Sequence, residues 1–179
     1  GFIETDHWAR SVAYSPDGRS IVAGIFDGTI RSWQLLEGTP PLRVFEKHTG
    51  WVRSIAISRD GETLITVADD NSINIWNMNN GALKLTITNL TGPRVVALSP
   101  DAQTLAVGLQ DSSIMLIRVS DGTTIKTLTG HKDWVRSLGF SPNGKKLASG
   151  AFDATARIWD VESGQMDFVL SGHQSSVLG

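Results

Sequence analysis

Cysteine is absent from this chain of 179 residues. A disulfide framework and a cysteine-ligated zinc or iron–sulfur site are therefore excluded, and the composition fits a reducing compartment. No apolar run approaches the roughly 18 residues that a membrane-spanning helix needs, and no signal peptide is recognisable. Neither sign of charge dominates, because 16 Lys and Arg against 18 Asp and Glu give a net charge of −2. We expect a cytoplasmic protein that binds neither membranes nor nucleic acid.

Three unrelated residue types recur along the chain at one spacing. The serines are Ser15, Ser58, Ser99 and Ser141; the aspartates are Asp27, Asp70, Asp111 and Asp153; the glycines are Gly38, Gly81, Gly122 and Gly164. Each series advances by 43, 41 and 42 residues. A period in this range predicts a repeat architecture, in which each repeat is one supersecondary unit that cannot bury its faces alone.

Each repeat contains four short apolar or alternating runs separated by turn signals. In the fourth repeat these runs are WVRSLGF, KKLASGA, TARIWDV and MDFVLS. Short runs that are rich in β-branched and aromatic residues predict antiparallel strands joined by tight turns. The first turn is SPDG, SRDG, SPDA or SPNG, so Ala102 stands where the other repeats place a glycine. If that position is left-handed, Ala102 carries about 1 kcal/mol of strain.

Four strands per repeat at this period resemble the WD-repeat family of β-propellers. The resemblance rests on Gly130–His131, the SPNG turn, LASGAFD and Trp159–Asp160. It implies an all-β fold of four four-stranded antiparallel blades, a partial ring of a propeller that in this family usually has seven blades. The repeats span approximately 5–47, 48–88, 89–130 and 131–172, and a truncated fifth begins at 173. We therefore interpret the chain as a fragment of a larger WD-repeat protein and expect its unpaired blade faces to self-associate.

Two repeats contain a histidine, a hydroxyl residue, an aspartate and a tryptophan at matched spacings. They are His48, Thr66, Asp70 and Trp76 in the second repeat, and His131, Ser149, Asp153 and Trp159 in the fourth. A hydrolase would need an exposed nucleophile, an oxyanion hole and a cleft. The resemblance implies a structural tetrad instead, in which tryptophan donates to the hydroxyl, the hydroxyl to one histidine nitrogen, and the other nitrogen to the carboxylate. The set is degraded elsewhere, which favours a scaffold: the replacements are Thr5 and Ala23 in the first repeat, and Asn89, Val107 and Ile117 in the third.

A second repeated pattern, of arginine and tryptophan, is not needed to form the strands and turns of the fold. Arginine stands five residues before each repeated serine, and tryptophan stands two residues before the arginine in three of the four repeats. These positions, with the residue before each repeated aspartate, resemble the contact positions on the top face of the family's propellers. The candidate partner-binding residues are Trp8, Arg10, Phe26, Trp51, Arg53, Asp69, Arg94, Gln110, Trp134, Arg136 and Phe152. Alternatively, the tryptophans are wedges packed between blades, with arginine stacked on them.

These observations predict a non-catalytic scaffold or sensor module that binds a protein or an acidic peptide through its top face. We expect no cofactor and no metal site. The remainder of the propeller is a further expected partner. Two alternatives stay open: a propeller-type hydrolase or redox enzyme, and a purely structural spacer within a multidomain signalling ATPase or kinase.

Overall fold

The computed structural model describes residues 7–35 and 43–178, and within these ranges it contains strands but no helix. The strands of the first repeat are β1 (Ala9–Tyr14), β2 (Ser20–Ile25), β3 (Thr29–Gln34) and β4 (Arg43–Glu46). Those of the second are β5 (Val52–Ile57), β6 (Thr63–Ala68), β7 (Ile73–Asn77) and β8 (Leu83–Ile87). The third contains β9 (Pro93–Leu98), β10 (Thr104–Leu109), β11 (Ile114–Arg118) and β12 (Thr124–Leu128). The fourth contains β13 (Val135–Phe140), β14 (Lys146–Ala151), β15 (Ala156–Asp160) and β16 (Met166–Leu170).

Each repeat forms one antiparallel sheet in which the four strands lie in sequence order. We call these sheets blades 1 to 4. The short strands and tight turns within each repeat leave each strand beside its sequence neighbour, as in a blade of a β-propeller. The predicted fold class, all-β with four four-stranded antiparallel blades, is confirmed. The seven-bladed ring and the repeat boundaries stay predictions.

The chain divides into two compact units, residues 1–89 with blades 1 and 2, and residues 90–179 with blades 3 and 4. Each unit has a core between its two blades. In the first unit Phe45 of blade 1 packs with Leu64 and Trp76 of blade 2. In the second, Leu128 of blade 3 packs with Trp159 of blade 4. Burial of each such side chain stabilises the pair of blades by about 1.5–3 kcal/mol. An apolar face of one blade is therefore covered by the other blade of the same unit.

In three blades, a glycine on the second strand leaves space for the side chain of a valine from the next repeat. We call these contacts glycine notches, because a side chain at the glycine would collide with the valine. A Cβ atom added at Gly24 would lie 2.5 Å from Val52 Cγ1. One added at Gly108 would lie 2.8 Å from Val135 Cγ1, and one added at Gly150 would lie 2.6 Å from Val177 Cγ1. The N–H of Val177 also donates to the carbonyl of Ala151 at 3.0 Å.

The first hairpin turn of every repeat has the predicted chemistry. Its serine hydroxyl donates to an acceptor two residues later, as in the 2.6 Å bond from Ser99 to Asp101 Oδ1. The last turn residue is left-handed in all four repeats, with φ of 69°, 76°, 58° and 72° at Gly18, Gly61, Ala102 and Gly144. Ala102 is thus left-handed, which is the condition under which the sequence assigns strain to this turn. The glycines of the third turn, Gly81, Gly122 and Gly164, also have positive φ, while Gly38 and Thr5 lie outside the described residues.

Candidate interaction surface

The repeated arginine is the extra residue of a β-bulge in every blade. In blade 2, Val52 pairs with Ala68 and Ser54 pairs with Val67, so Arg53 has no partner in the ladder. The same shift skips the arginine in the other blades: Arg10, Arg94 and Arg136. A bulge redirects a side chain and increases the local twist. The bulge interrupts the alternation of side chains along the strand at the arginine itself, so the spacing between tryptophan and arginine does not by itself decide on which side the arginine lies.

One backbone hydrogen bond per blade fixes the other two candidate positions beside each other. The N–H of the residue before the repeated aspartate donates to the carbonyl at the tryptophan position. The four bonds run from Phe26 to Trp8, Asp69 to Trp51, Gln110 to Gly92 and Phe152 to Trp134, at 3.0–3.1 Å. The start of the first strand and the end of the second therefore lie beside each other in each repeat.

The first unit carries an aromatic stack that ends in an ion pair. Phe26 stacks on Trp51 with ring centroids 4.3 Å apart, and Trp8 meets the edge of Phe26 at 5.8 Å. The Arg53 guanidinium lies 4.9 Å from the Trp51 ring centroid. Its Nε donates to Asp69 Oδ1 at 2.8 Å, and its Nη2 donates to Oδ2. We call these five residues the first stack.

The second unit carries a stack with an arginine at each end. Arg94 lies over Trp134 at 5.5 Å, Trp134 stacks on Phe152 at 5.8 Å, and Arg136 lies over Phe152 at 5.5 Å. The donors of Arg94 assign the facing amide atom of Gln110 as its oxygen, which in that orientation accepts from Nε at 2.8 Å and from Nη2. We call these five residues the second stack. Gln110 thus occupies the position that Asp69 has in the first stack.

The tryptophans of both stacks are more than a third exposed, while Trp51 and Trp134 also contact the neighbouring blade, through Phe26 and Arg94 respectively. Trp8 is 78% exposed, Trp51 44% and Trp134 38%. Arg10 is exposed as well. Ten of the eleven predicted residues are thus gathered into two stacks, one in each unit, and Arg10 lies on β1 two residues after Trp8. The role of these residues in binding stays a prediction.

The two tetrads form the expected hydrogen bonds. In blade 4, Trp159 Nε1 donates to Ser149 Oγ at 2.8 Å, Ser149 Oγ lies 2.7 Å from His131 Nε2, and His131 Nδ1 lies 2.9 Å from Asp153 Oδ2. Blade 2 repeats the arrangement at 2.9, 2.8 and 3.0 Å with Trp76, Thr66, His48 and Asp70. Ser149 and Thr66 are buried. Each hydroxyl is enclosed, and its oxygen accepts the tryptophan N–H, so neither is accessible to a substrate as a nucleophile.

The pKa values of the tetrad residues favour a neutral histidine beside a charged aspartate. Burial lowers the pKa of His131 and His48 below the ordinary histidine value, although the neighbouring carboxylates act in the opposite direction. Partial burial raises the pKa of Asp153, but hydrogen bonds from Thr155, the Lys132 N–H and His131 hold it well below the ordinary value. The neutral imidazole therefore donates from Nδ1 to the carboxylate and accepts at Nε2.

A hydroxyl residue two positions after each repeated aspartate was missed by the sequence analysis. Its hydroxyl donates to Oδ1 of the aspartate at 2.6–2.7 Å in all four blades: Thr29, Ser72, Ser113 and Thr155. The signal was present in the sequence, because Ser or Thr occupies this position in every repeat. The bond helps to hold the aspartate in place even in the blades without a tetrad.

Blades 1 and 3 replace the missing tetrad in different ways. In blade 1, Arg31 Nη2 donates to Asp27 Oδ2 at 3.0 Å. The guanidinium thus makes the hydrogen bond to the repeated aspartate that histidine makes in blades 2 and 4. In blade 3, Val107 and Ile117 are completely buried and apolar packing replaces the network. In the described residues, no group of three His, Asp or Glu side chains could hold a metal ion, and no helix is long and apolar enough to cross a membrane.

Comparison with known families agrees with this architecture. The sequence profile described as "WD domain, G-beta repeat" matches residues 2–34, 39–77 and 122–160. The chain belongs to the WD-repeat family. The profile leaves residues 78–121 unmatched, and this segment contains most of blade 3, in which valine and isoleucine replace the tetrad hydroxyl and tryptophan. The structure nevertheless gives that repeat the same four strands.

Three curated relatives are similar to the chain over short segments. The chain is 48% identical over 40 residues to "Nuclear distribution protein nudF 2" of Talaromyces marneffei, covering 22% of this chain and 9% of the relative. It is 33% identical over 57 residues to "Transcriptional repressor rco-1" of Neurospora crassa, covering 32% of this chain and 9% of the relative. It is 71% identical over 24 residues to "Nuclear distribution protein PAC1" of Mycosarcoma maydis, covering 13% of this chain and 5% of the relative. The matched segments thus span less than a tenth of each relative's length.

Proposed function

We propose that this WD-repeat chain is a non-catalytic protein-binding module that contacts its partner through the two stacks. The observation that carries the proposal is the exposure of Trp8, Trp51 and Trp134 in positions fixed by a bulge and a backbone hydrogen bond. Exposed tryptophan and arginine are the residues most enriched among binding hot spots, because they offer large rigid area and several donors. The names of the relatives, two nuclear distribution proteins and a transcriptional repressor, are compatible with such a role and name no enzymatic activity.

Burial of the only Ser-His-Asp and Thr-His-Asp sets in the described residues supports a non-catalytic role. Their hydroxyls are enclosed by tryptophan and histidine and have no access to a substrate. A purely structural spacer would have no need of three exposed tryptophans. We place the module in the cytoplasm and expect it to work together with the remainder of a propeller.

Selection of peptides on the whole 179-residue chain tests the proposal without knowledge of the natural partner. A random peptide library is displayed on phage, and the affinity of recovered peptides is measured by isothermal titration calorimetry. We expect Trp51→Ala and Trp134→Ala to weaken binding of the peptides recovered on their respective stacks by about 1–2 kcal/mol, because each removes a rigid contact surface. Arg136→Ala should weaken binding to the second stack similarly.

Ile125→Ala is the control, since Ile125 is an apolar residue of β12 that is 43% exposed and belongs to neither stack. It should leave the affinities unchanged. Recovered peptides that bind Trp51→Ala, Trp134→Ala and wild type equally well would show that the stacks are not the contact surface.

A further inference from the structure

Arg157 is a buried cation that forms no ion pair with an acid in the part of the chain that the structure describes. Only 8% of its surface is exposed, and its Nε is buried and has no hydrogen-bond partner. Its Nη1 donates to the sulfur of Met166 at 3.1 Å. Because a thioether sulfur is a weak acceptor, this bond compensates the guanidinium poorly for the water that it has lost.

The equivalent cation of blade 1 has a stronger acceptor. Arg31 stands on β3 where Arg157 stands on β15, and it donates to Asp27 Oδ2 at 3.0 Å. In blade 4 the tetrad histidine already occupies the repeated aspartate. Arg157 is therefore left with Met166, whose sulfur becomes a much stronger acceptor group when it is oxidised to the sulfoxide.

The side chain of Met166 is accessible to small solutes. It is 43% exposed at the start of β16, the last strand of blade 4. Thr124 has the same position in blade 3, where it pairs with Ile117 as Met166 pairs with Trp159. Thr124 is exposed, although blade 4 packs against the apolar face of blade 3. The position thus lies at a rim that a following blade leaves open.

We propose that Met166 is a site of reversible oxidation by peroxide, and that its sulfoxide oxygen accepts the hydrogen bond of the buried Arg157 guanidinium. The sulfur lone pair attacks one oxygen of hydrogen peroxide and the O–O bond breaks. The second oxygen leaves as hydroxide and takes the proton of the first to become water. Sulfur is oxidised by two electrons, the peroxide is reduced, and methionine sulfoxide reductases reverse the change.

Oxidation at this position should stabilise blade 4, contrary to its usual effect. A sulfoxide in an apolar core disrupts packing, but here the new oxygen faces a cation, and hydrogen bonds to charged groups contribute more than those between neutral groups. The unbranched side chain of Met166 can rotate to make room for the oxygen. Since Arg157 lies on β15 and Met166 on β16, the new bond fastens the last strand to its neighbour. This inference is independent of the proposed function.

Selective oxidation of Met166 tests the inference. In the whole 179-residue chain, Met78→Leu and Met115→Leu leave Met166 as the only methionine, and such exchanges of similar volume are well tolerated. Hydrogen peroxide is added to this parent protein, and mass spectrometry of a digest verifies one added oxygen at Met166. We expect the urea midpoint to rise by about 0.5 M and to return to its original value after treatment with methionine sulfoxide reductases.

Arg157→Leu in the same parent protein is the matched control. It removes the guanidinium and keeps an apolar side chain at the position that Met115 has in blade 3. The sulfoxide then has no buried donor, so oxidation should lower the urea midpoint. An effect of oxidation that is no more favourable in the parent than in Arg157→Leu would overturn the inference.

A second pair of variants requires neither oxidation nor the loss of Arg157. Met166→Gln carries its amide oxygen on the atom that corresponds to the sulfur, whereas Met166→Leu keeps the site apolar. We expect Met166→Gln to have the higher urea midpoint, although leucine buries more apolar surface. If Arg157→Leu does not fold, this pair decides, and a midpoint of Met166→Leu that equals or exceeds that of Met166→Gln rejects the inference.

Discussion

At the scale of single residues, the tetrad histidines are neutral members of a buried network. Their pKa values are lowered by burial, and the carboxylates beside them remain charged. Arg157 is buried, with 8% of its surface exposed. Its positive charge further lowers the pKa of His131 in blade 4. Its Nη1 contacts the sulfur of Met166 at 3.1 Å. A protonated His131 would thus be a second buried cation close to the first.

Acidification should destabilise the fold in two steps. The unfolded chain has histidine pKa values near 6.5, and the folded values of His48 and His131 lie lower. Between those values the unfolded chain binds more protons, so stability decreases as the pH falls from about 6.5 and stops decreasing below the folded pKa. The carboxyls of Asp70 and Asp153 have lowered pKa values, so their contribution is present above about pH 4 and is lost on further acidification.

Urea midpoints measured from about pH 8 to about pH 5 check the first step. The double variant His48→Gln and His131→Gln serves as the control. It should be less stable at every pH but should lose less stability than wild type between about pH 7 and pH 5. A wild-type midpoint that rises on acidification would mean that the carboxylates stabilise imidazolium, contrary to the neutral tetrad.

At the scale of elements, the first hairpin of blade 3 contains a strained residue. Ala102 has φ of 58° where the other three hairpins have glycine. A left-handed conformation places the Cβ of an L-residue too close to the backbone, which costs about 1–2 kcal/mol. Ser99 and Asp101 keep the turn in shape through the 2.6 Å hydrogen bond between their side chains, so the strain persists in the folded state.

Ala102→Gly should stabilise the second unit. Relief of strain exceeds the added flexibility of the unfolded chain, so we expect a gain of about 0.5–1 kcal/mol in the free energy of unfolding. Gly144→Ala, at the equivalent turn of blade 4, should cost a similar amount because its φ is 72° and its Cβ meets Pro100 only at ordinary contact distance. Chemical denaturation of both variants measures the difference. A less stable Ala102→Gly would mean that the turn carries no strain.

The elements themselves could be predicted from the sequence, whereas several contacts of the site could not. The serine and aspartate period locates the hairpins, and the resemblance to the WD-repeat family predicts the bonds among His131, Ser149 and Asp153. The bulge at Arg53 depends on the register between two strands, which a single strand's alternation does not reveal. The pairing of Arg53 with Asp69 depends on that register as well, so it appears only in three dimensions.

At the scale of the whole molecule, each unit leaves an apolar sheet surface uncovered. In blade 4, Phe168 is 63% exposed and Leu170 52%, although Leu128, at the position of Leu170 in blade 3, is only 2% exposed. In blade 1, Val12 and Tyr14 are 62% and 65% exposed. The same positions in blades 2 and 4 pack against the preceding blade. The two uncovered surfaces are therefore of the kind that neighbouring blades bury against each other.

We expect the isolated 179-residue chain to self-associate at concentrations of about 10 μM and above. The surface of blade 4 on one copy would meet that of blade 1 on another, a head-to-tail contact that forms dimers or longer species. Phe168→Glu and Tyr14→Glu should each weaken association in sedimentation velocity experiments. Ile125→Glu, at an apolar residue that is 43% exposed on β12, should have no effect. A monodisperse wild-type monomer over the same concentration range would contradict the expectation.

The glycine notches also bear on how the chain folds during its synthesis. Gly24 receives Val52, Gly108 receives Val135, and Gly150 receives Val177, so each valine leaves the ribosome after the sheet that it covers. The surface of a newly synthesised sheet therefore stays uncovered until the start of the next repeat has been made. All these contacts join adjacent repeats, so the loops that folding closes are short. Their entropic cost is small, and folding is fast. The direction of translation thus becomes the order in which the blades are completed.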